Sequence, residues 1–420
     1  MHRNSWRRHG FSLLALLSAT LAMAADNEKT QKPIKIGFSM PLTGALAQGG
    51  KAAVLAMQIW RDDVNAKGGL LGRPVELIYY DDQTKGSNVP SIYTKLLDVD
   101  GVDFVVSGYG TNVTAPAMPI VMQRNLTFVS LLATAVNEQF QYPCYFQIMP
   151  AGPKPSEDWS AGFFETASRQ NPKPKTVAFL SSDAEFAQNT VVGARINAKK
   201  YGFEVVYDEK YPPNTTDYTP IVRAIKARNA DIVYYLSYPP ESVGLIKASK
   251  ELNLVPKIIG GTMVGLHFTT IQTNLGTSLN GVSNYAFWLP EPTMRFPGVL
   301  ELLKRYQAEA PKQDLDPLGY YLPPFAYAYV QVLGDAIRAT QSLDQKKVCD
   351  YLHATEFNTV VGKVKFGANG EWAQSRMLTY QFQNIESNSV EEFSKAGKMV
   401  ILYPPEFKTG TLVYPFPGWK

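Results

Sequence analysis

A chain of 420 residues with 41 Lys and Arg against 37 Asp and Glu carries a net charge of only +4. So small an excess leaves no electrostatic footprint for nucleic acid or an anionic membrane, and excludes both as expected partners. The length also exceeds the ~250–300 residues at which one hydrophobic core stops growing, so two lobes are expected.

The first residues predict export. Arg3, Arg7 and Arg8 form a basic start, residues 11–21 are apolar, and Ala22-Met23-Ala24 has the small-x-small form of a cleavage site. The apolar stretch falls short of the ~20 residues that span a bilayer, so 1–24 reads as a signal peptide and not an anchor. Cleavage there removes three of the 41 basic residues and no acid, leaving 38 against 37. The mature chain is expected in the periplasm, as a monomer. Its two cysteines, Cys144 and Cys349, would meet an oxidising compartment, but their spacing leaves the pairing open. The sequence contains no CxxC and no metal-ligand cluster, and no metal or cofactor is expected.

Beyond a polar linker at 26–32, strand-like and helix-like segments alternate. Strands are predicted at 34–39, 75–80, 103–107 and 126–131, with helices at 51–66, 91–99 and 115–123 between them. The alternation restarts after Pro150-Ala151-Gly152-Pro153. Strands at 176–180, 203–207, 231–236 and 256–260 enclose helices at 186–201, 219–228 and 241–252. Two further helices follow at 300–308 and 325–340, then β-type patterning from Val360. This βαβα order predicts an α/β chain of two lobes, each a parallel sheet covered by helices on both faces.

Enzyme signatures are missing. Only His267 and His353 survive removal of the leader, and neither lies in a nucleophile elbow or an H-E-x-x-H pattern. Residues 44–52 imitate a phosphate-binding loop, yet Ala52 stands where a Ser or Thr is needed. Asp81-Asp82 at a strand end reads as loop capping and not as a metal pair. What remains is a set of polar loops, 43–50, 108–114 and 132–136, at the C-terminal ends of first-lobe strands. Open α/β sheets bind ligands at those ends, beside helix N-termini that favour anions.

With these loops the chain resembles the periplasmic leucine/isoleucine/valine-binding family, the type I substrate-binding proteins of ABC importers. The resembling residues are Ile34-Lys35-Ile36-Gly37, Pro41-Leu42-Thr43-Gly44, the run 65–77, Asp81-Asp82 and the run 360–366. The resemblance implies two Rossmann-like lobes on a three-crossover hinge, closing on a small-molecule ligand, with an ABC permease at the inner membrane as partner. It implies crossings at 147–152, 285–290 and 357–361. Lobe 1 would then be 33–147 with 286–356, and lobe 2 would be 148–285 with 357–420.

By the same resemblance, Thr111 with Asn112, and Leu132, Ala133 and Thr134, form a carboxylate seat, and Tyr238 supplies a second-lobe aromatic. The family's acid for a ligand ammonium falls on the uncharged Thr262, with Asp183 and Glu185 as nearby substitutes. An aromatic wall becomes Gly49 and a tyrosine becomes Phe186, which implies a pocket enlarged on one side and less polar on the other. Tyr109, Met263 and Trp288 complete the candidates. The expected ligand is an aromatic or other bulky organic acid, with a branched-chain or other amino acid as the alternative. Ligand sensing in place of transport is a second function the same fold serves.

Overall fold

The computed structural model describes residues 32–213 and 215–419. The basic start, apolar stretch and cleavage site therefore lie outside the described residues. The first lobe is built on β1 (Ile34–Met40), β2 (Val75–Asp81), β3 (Phe104–Tyr109), β4 (Phe128–Leu131) and β5 (Tyr145–Gln147). These strands are all parallel, in the order β2-β1-β3-β4-β5. Every residue of β3 and β4 is buried, as strands covered on both faces require.

The second lobe repeats the plan with β6 (Thr176–Ser182), β7 (Glu204–Tyr211), β8 (Ile232–Ser237), β9 (Ile258–Met263) and β10 (Val282–Ala286). A hairpin, β11 (Glu356–Thr359) and β12 (Gly362–Lys365), follows much later, and β13 (Leu378–Phe382) and β14 (Met399–Tyr403) come last. The second sheet runs β14-β13-β10-β9-β8-β6-β7, with β13 and β14 antiparallel at one edge.

The predicted alternation describes both lobes, with two shifts that matter for the site. The helix expected at 51–66 begins earlier, at Ala47–Ala66, and takes up Gly49 and Gly50 as buried helical residues. The imitation phosphate loop is therefore helix, with no cradle of free N–H groups. A helix with no sequence prediction, Pro155–Ser168, opens the second lobe and packs on the helix Glu185–Lys200. Asn197 Nδ2 of the latter donates to Ser160 Oγ of the former at 2.9 Å.

The third crossing does not lie where it was expected. The hairpin β11–β12 stays with the first lobe, because Phe366 buries its ring against Phe146 at 5.2 Å and Val360 N–H donates to Gln331 Oε1. The chain then runs beside the first crossing. Gln147 N–H donates to Gly370 O at 2.8 Å, Trp372 Nε1 to Ile148 O at 3.0 Å, and Arg376 N–H to Pro150 O at 2.8 Å. The third crossing thus falls between Trp372 and Leu378 and not at 357–361, and the first lobe extends through the hairpin.

Cys144 and Cys349 form a disulfide, with α-carbons 5.4 Å apart. It ties the approach to β5 to the helix Gln345–Ala354, two parts of the first lobe separated in the chain by the parallel strands of the second lobe.

Candidate ligand-binding cleft

In each lobe the sheet order reverses direction about its first strand, and the loops leaving that switch point face the other lobe. In the first lobe the switch lies between β1 and β3, in the second between β6 and β8. Ligands of open α/β sheets bind at such places. Leu46, Tyr109, Gly110, Thr111, Asn112, Leu132 and Tyr321 come to the cleft from the first lobe, and Trp159, Phe186, Tyr238 and Val264 from the second. They enclose a cavity of about 20 Å³. A ligand larger than one or two atoms enters only as the lobes part.

The first-lobe loops are set by local backbone chemistry. Gly110, at φ 105° and ψ 154°, turns the end of β3 into a short helix starting at Thr111, a conformation that a side chain disfavours. Helix starts leave their first N–H groups without intrahelical acceptors, so those of Thr111 and Asn112 are available at the cleft. Thr111 Oγ1 accepts the Thr134 N–H at 3.0 Å, which leaves its own hydroxyl proton to donate. Gln147, fully buried on β5, accepts the Leu132 N–H at 3.1 Å and donates to Ala133 O, fixing the turn in which Leu132 adopts φ 51°. The Asp81 carboxylate accepts N–H groups from Leu42 and Thr43 and the Thr43 hydroxyl, so its role is to order the loop before the first helix.

On the second lobe, Tyr238 caps the helix Pro239–Glu251. Its N–H donates to Glu241 Oε2 at 2.8 Å, and that buried carboxylate also takes the Ser182 and Tyr211 hydroxyls. The phenol so fixed reaches across the cleft and donates to Asn112 Oδ1 at 2.7 Å. Asn189 Nδ2 donates to Thr134 O, and Gln48 Nε2 to Thr270 Oγ1, so these hydrogen bonds also bridge the lobes.

Of the residues expected at the ligand, Tyr109, Thr111, Asn112, Leu132, Phe186 and Tyr238 line the cavity. Four others do not. Gly49 opens no space, because a Cβ there would come 2.7 Å from the Tyr109 ring and 3.4 Å from that of Phe268. Ala133 is packed in the first-lobe core, and Thr134 is fully buried behind Thr111. Thr262 points into the second lobe, its hydroxyl 2.7 Å from that of Tyr234. The expectation of a pocket widened at Gly49 is therefore corrected, since Tyr109 fills that volume. Met263 is buried in β9, and Trp288 donates its indole N–H to Met294 O near the hinge.

Neither acid proposed as an ammonium partner reaches the cavity. Asp183 pairs with Lys210 at 3.0 Å. Glu185, whose carboxyl burial holds above the usual range, lines a separate groove with Glu138 and Asn189. No Asp, Glu, Lys, Arg or His is among the residues lining the cavity. Among the described residues no group of three or more His, Cys, Asp or Glu is placed to hold a metal.

Trp159 and Tyr321 are cleft residues that the sequence reading missed. Pro155 at a helix start, Glu157 and Asp158 in its first turn, and apolar Trp159, Phe163 and Ala167 four apart were the available signal. Tyr321 precedes Pro323-Pro324, an equally regular helix opening. Behind it lies His267, its ring stacked on that of Tyr321 at 4.3 Å and 5°. Burial pushes this imidazole down to about 3 from an ordinary 6.5. The depressed folded value means that the unfolded chain takes up the proton first. The stability gained from neutral His267 is complete above about pH 6.5 and is lost as pH falls toward 3. Urea midpoints between pH 7 and 4 should show wild type losing about 1 kcal/mol per pH unit more than H267F. Parallel pH profiles would refute this.

A model of the periplasmic binding protein family matches residues 33–388. The chain belongs to this family. The leucine-, isoleucine-, valine-, threonine- and alanine-binding protein of Pseudomonas aeruginosa is 25% identical to it over 374 residues, 89% of this chain and 94% of that one. The branched-chain amino acid transporter substrate-binding protein of Streptococcus pneumoniae, solved with isoleucine, superposes with a TM-score of 0.73 at 20% identity. That match covers 89% of this chain and all of the other. An ABC-transporter solute-binding protein of R. palustris, solved with benzoate, superposes with a TM-score of 0.72 at 16% identity, covering 88% and 95% of the two chains. This periplasmic binding protein is of the leucine/isoleucine/valine-binding type, and it binds and does not catalyse. Among the described residues no helix is long and apolar enough to cross a membrane.

Proposed function

We propose that this periplasmic binding protein captures an aromatic or similarly bulky organic acid and delivers it to an ABC importer, acting as an exported monomer. The observation that carries the ligand reading is the chemistry of the cavity lining. Tyr109, Trp159, Phe186, Tyr238 and Tyr321 bring aromatic rings from both lobes, and no ionisable carboxylate or cation joins them. A ligand ammonium enclosed there would lose its hydration without a countercharge, at a cost of several kcal/mol. A carboxylate meets the hydroxyl of Thr111 and the first N–H groups of its helix, donors suited to an anion. Aromatic faces then accommodate a planar body by stacking and edge contacts.

The names of its relatives favour a second reading, a branched-chain amino acid. Titration calorimetry separates the two once the purified protein has been unfolded, dialysed and refolded to strip any bound compound. Benzoate and its ring-substituted analogues should release heat with micromolar or tighter affinity, while leucine and isoleucine should not. Tight leucine binding with no response to any aromatic acid would overturn the proposal.

A further inference from the structure

Trp159 presents an anomaly on the cavity wall. The residue is 3% exposed and lines the cavity, yet its indole N–H is buried without an acceptor among the described residues. Its ring is fixed by edge contacts with Phe186 at 5.2 Å, Tyr285 at 4.5 Å and Phe287 at 5.6 Å. A rigidly held, desolvated donor with no partner is uncommon in folded proteins and calls for an explanation.

The other cavity residues of the second lobe cannot supply a free donor. The Tyr238 hydroxyl is engaged by Asn112 and its N–H by Glu241. Phe186 and Val264 have apolar side chains. Trp159 is therefore the second-lobe side chain on the lining whose donor is unengaged. An indole N–H donates and never accepts, so its partner must be an acceptor. An α-ammonium, which has only donors, would place donor against donor. In the reading above the first-lobe donors at Thr111 and Asn112 already take the carboxylate, so the acceptor at Trp159 is a second oxygen of the ligand.

We infer that Trp159 is the second lobe's hydrogen-bond donor to the ligand, and that the ligand carries a hydroxyl or carbonyl oxygen in addition to its carboxylate. This rests on the aromatic-acid reading above. It assigns the two ends of the ligand to different lobes, the carboxylate to Thr111 and Asn112 and the second oxygen to Trp159. Closure then completes both contacts together, and acids lacking the second oxygen leave the indole unpaired in the closed state.

The test compares 2-, 3- and 4-hydroxybenzoate with the corresponding methylbenzoates, which match them in size, on wild type and W159F. At one ring position, wild type should prefer hydroxyl over methyl by roughly three- to tenfold, the effect of one neutral hydrogen bond. W159F keeps an aromatic ring but no donor, and should bind the two compounds of a pair equally. A second measurement avoids the substitution. In protein labelled with 15N at its indoles, one resonance should move downfield with the preferred hydroxybenzoate and not with its methyl analogue. Circular dichroism and a melting curve establish that W159F is folded, and its spectrum assigns the resonance.

If benzoates bind but W159F retains the hydroxyl preference, the inference alone is overturned. The same holds if wild type shows no preference, or if no indole responds selectively. If no benzoate binds wild type at all, the aromatic-acid reading fails and the inference falls with it.

Discussion

Replacing both Cys144 and Cys349 with alanine is expected to lower the stability of the first lobe by about 3–5 kcal/mol. The disulfide closes a loop spanning a sequence separation of 205 residues, which contains the five parallel strands β6–β10 of the second lobe. Its main effect is on the unfolded chain, whose ends it holds together, and the loop-closure entropy rises slowly with loop length. Without it, the helix Gln345–Ala354 is tied to β5 by weaker contacts, such as that of His353 Nε2 with Pro143 O at 2.6 Å and the Phe146–His353 ring contact at 4.6 Å. For a lobe of roughly 200 residues the loss corresponds to a fall in melting temperature on the order of 10 °C. Scanning calorimetry of the double variant, and of wild type under reductant, measures it directly. A double variant that melts within a degree or two of wild type would show that the bridge follows the fold without holding it.

Thr111→Val should weaken binding of the carboxylate ligand about ten- to a hundredfold, the loss of one hydrogen bond to a charged group. Valine has the shape of threonine, so ring packing in the cleft is preserved and the change isolates the hydroxyl. The same substitution strips the Thr134 N–H of its acceptor. That buried orphan should cost a further 1–3 kcal/mol, roughly, in stability. Thr111→Ser retains both interactions and should bind within a fewfold of wild type. Calorimetric titration of the three proteins reads affinity, and urea unfolding reads stability. Undiminished affinity in the valine variant would move the carboxylate away from the first-lobe helix start.

These expectations draw on different levels of information. The alternation of short apolar strands with amphipathic helices was legible in the sequence, because a strand covered on both faces must be largely apolar, and β3 and β8 are buried at every residue. Thr111, Asn112 and Tyr238 were expected at the ligand from the family resemblance, and they follow β3 and β8 directly, where the chain leaves the sheet at the cleft. The same resemblance also placed Gly49 and Thr262 at the ligand, but Gly49 lies inside the helix Ala47–Ala66 and Thr262 within β9, and neither lines the cavity. Whether such a position faces ligand or core depends on a neighbour distant in the chain, the Tyr109 ring for Gly49 and the Tyr234 hydroxyl for Thr262.

The third crossing was misplaced for a similar reason. A short hairpin carries no mark of the lobe it joins until Phe366 meets Phe146.

The sequence by itself determined two α/β lobes, their family and the polar loops that end their strands. Each of these follows from local periodicity and from motifs a few residues long. Only the tertiary structure decided which side chains share the cavity, that Cys144 meets Cys349, and that the cavity lining is aromatic and uncharged. Those are facts about residues a hundred or more positions apart, set by how two sheets and a hinge pack, and no local pattern carries them. Trp159 belongs to this second kind. Its sequence marks it as one more apolar residue of a helix, and its packing leaves a buried donor at the cavity between the lobes.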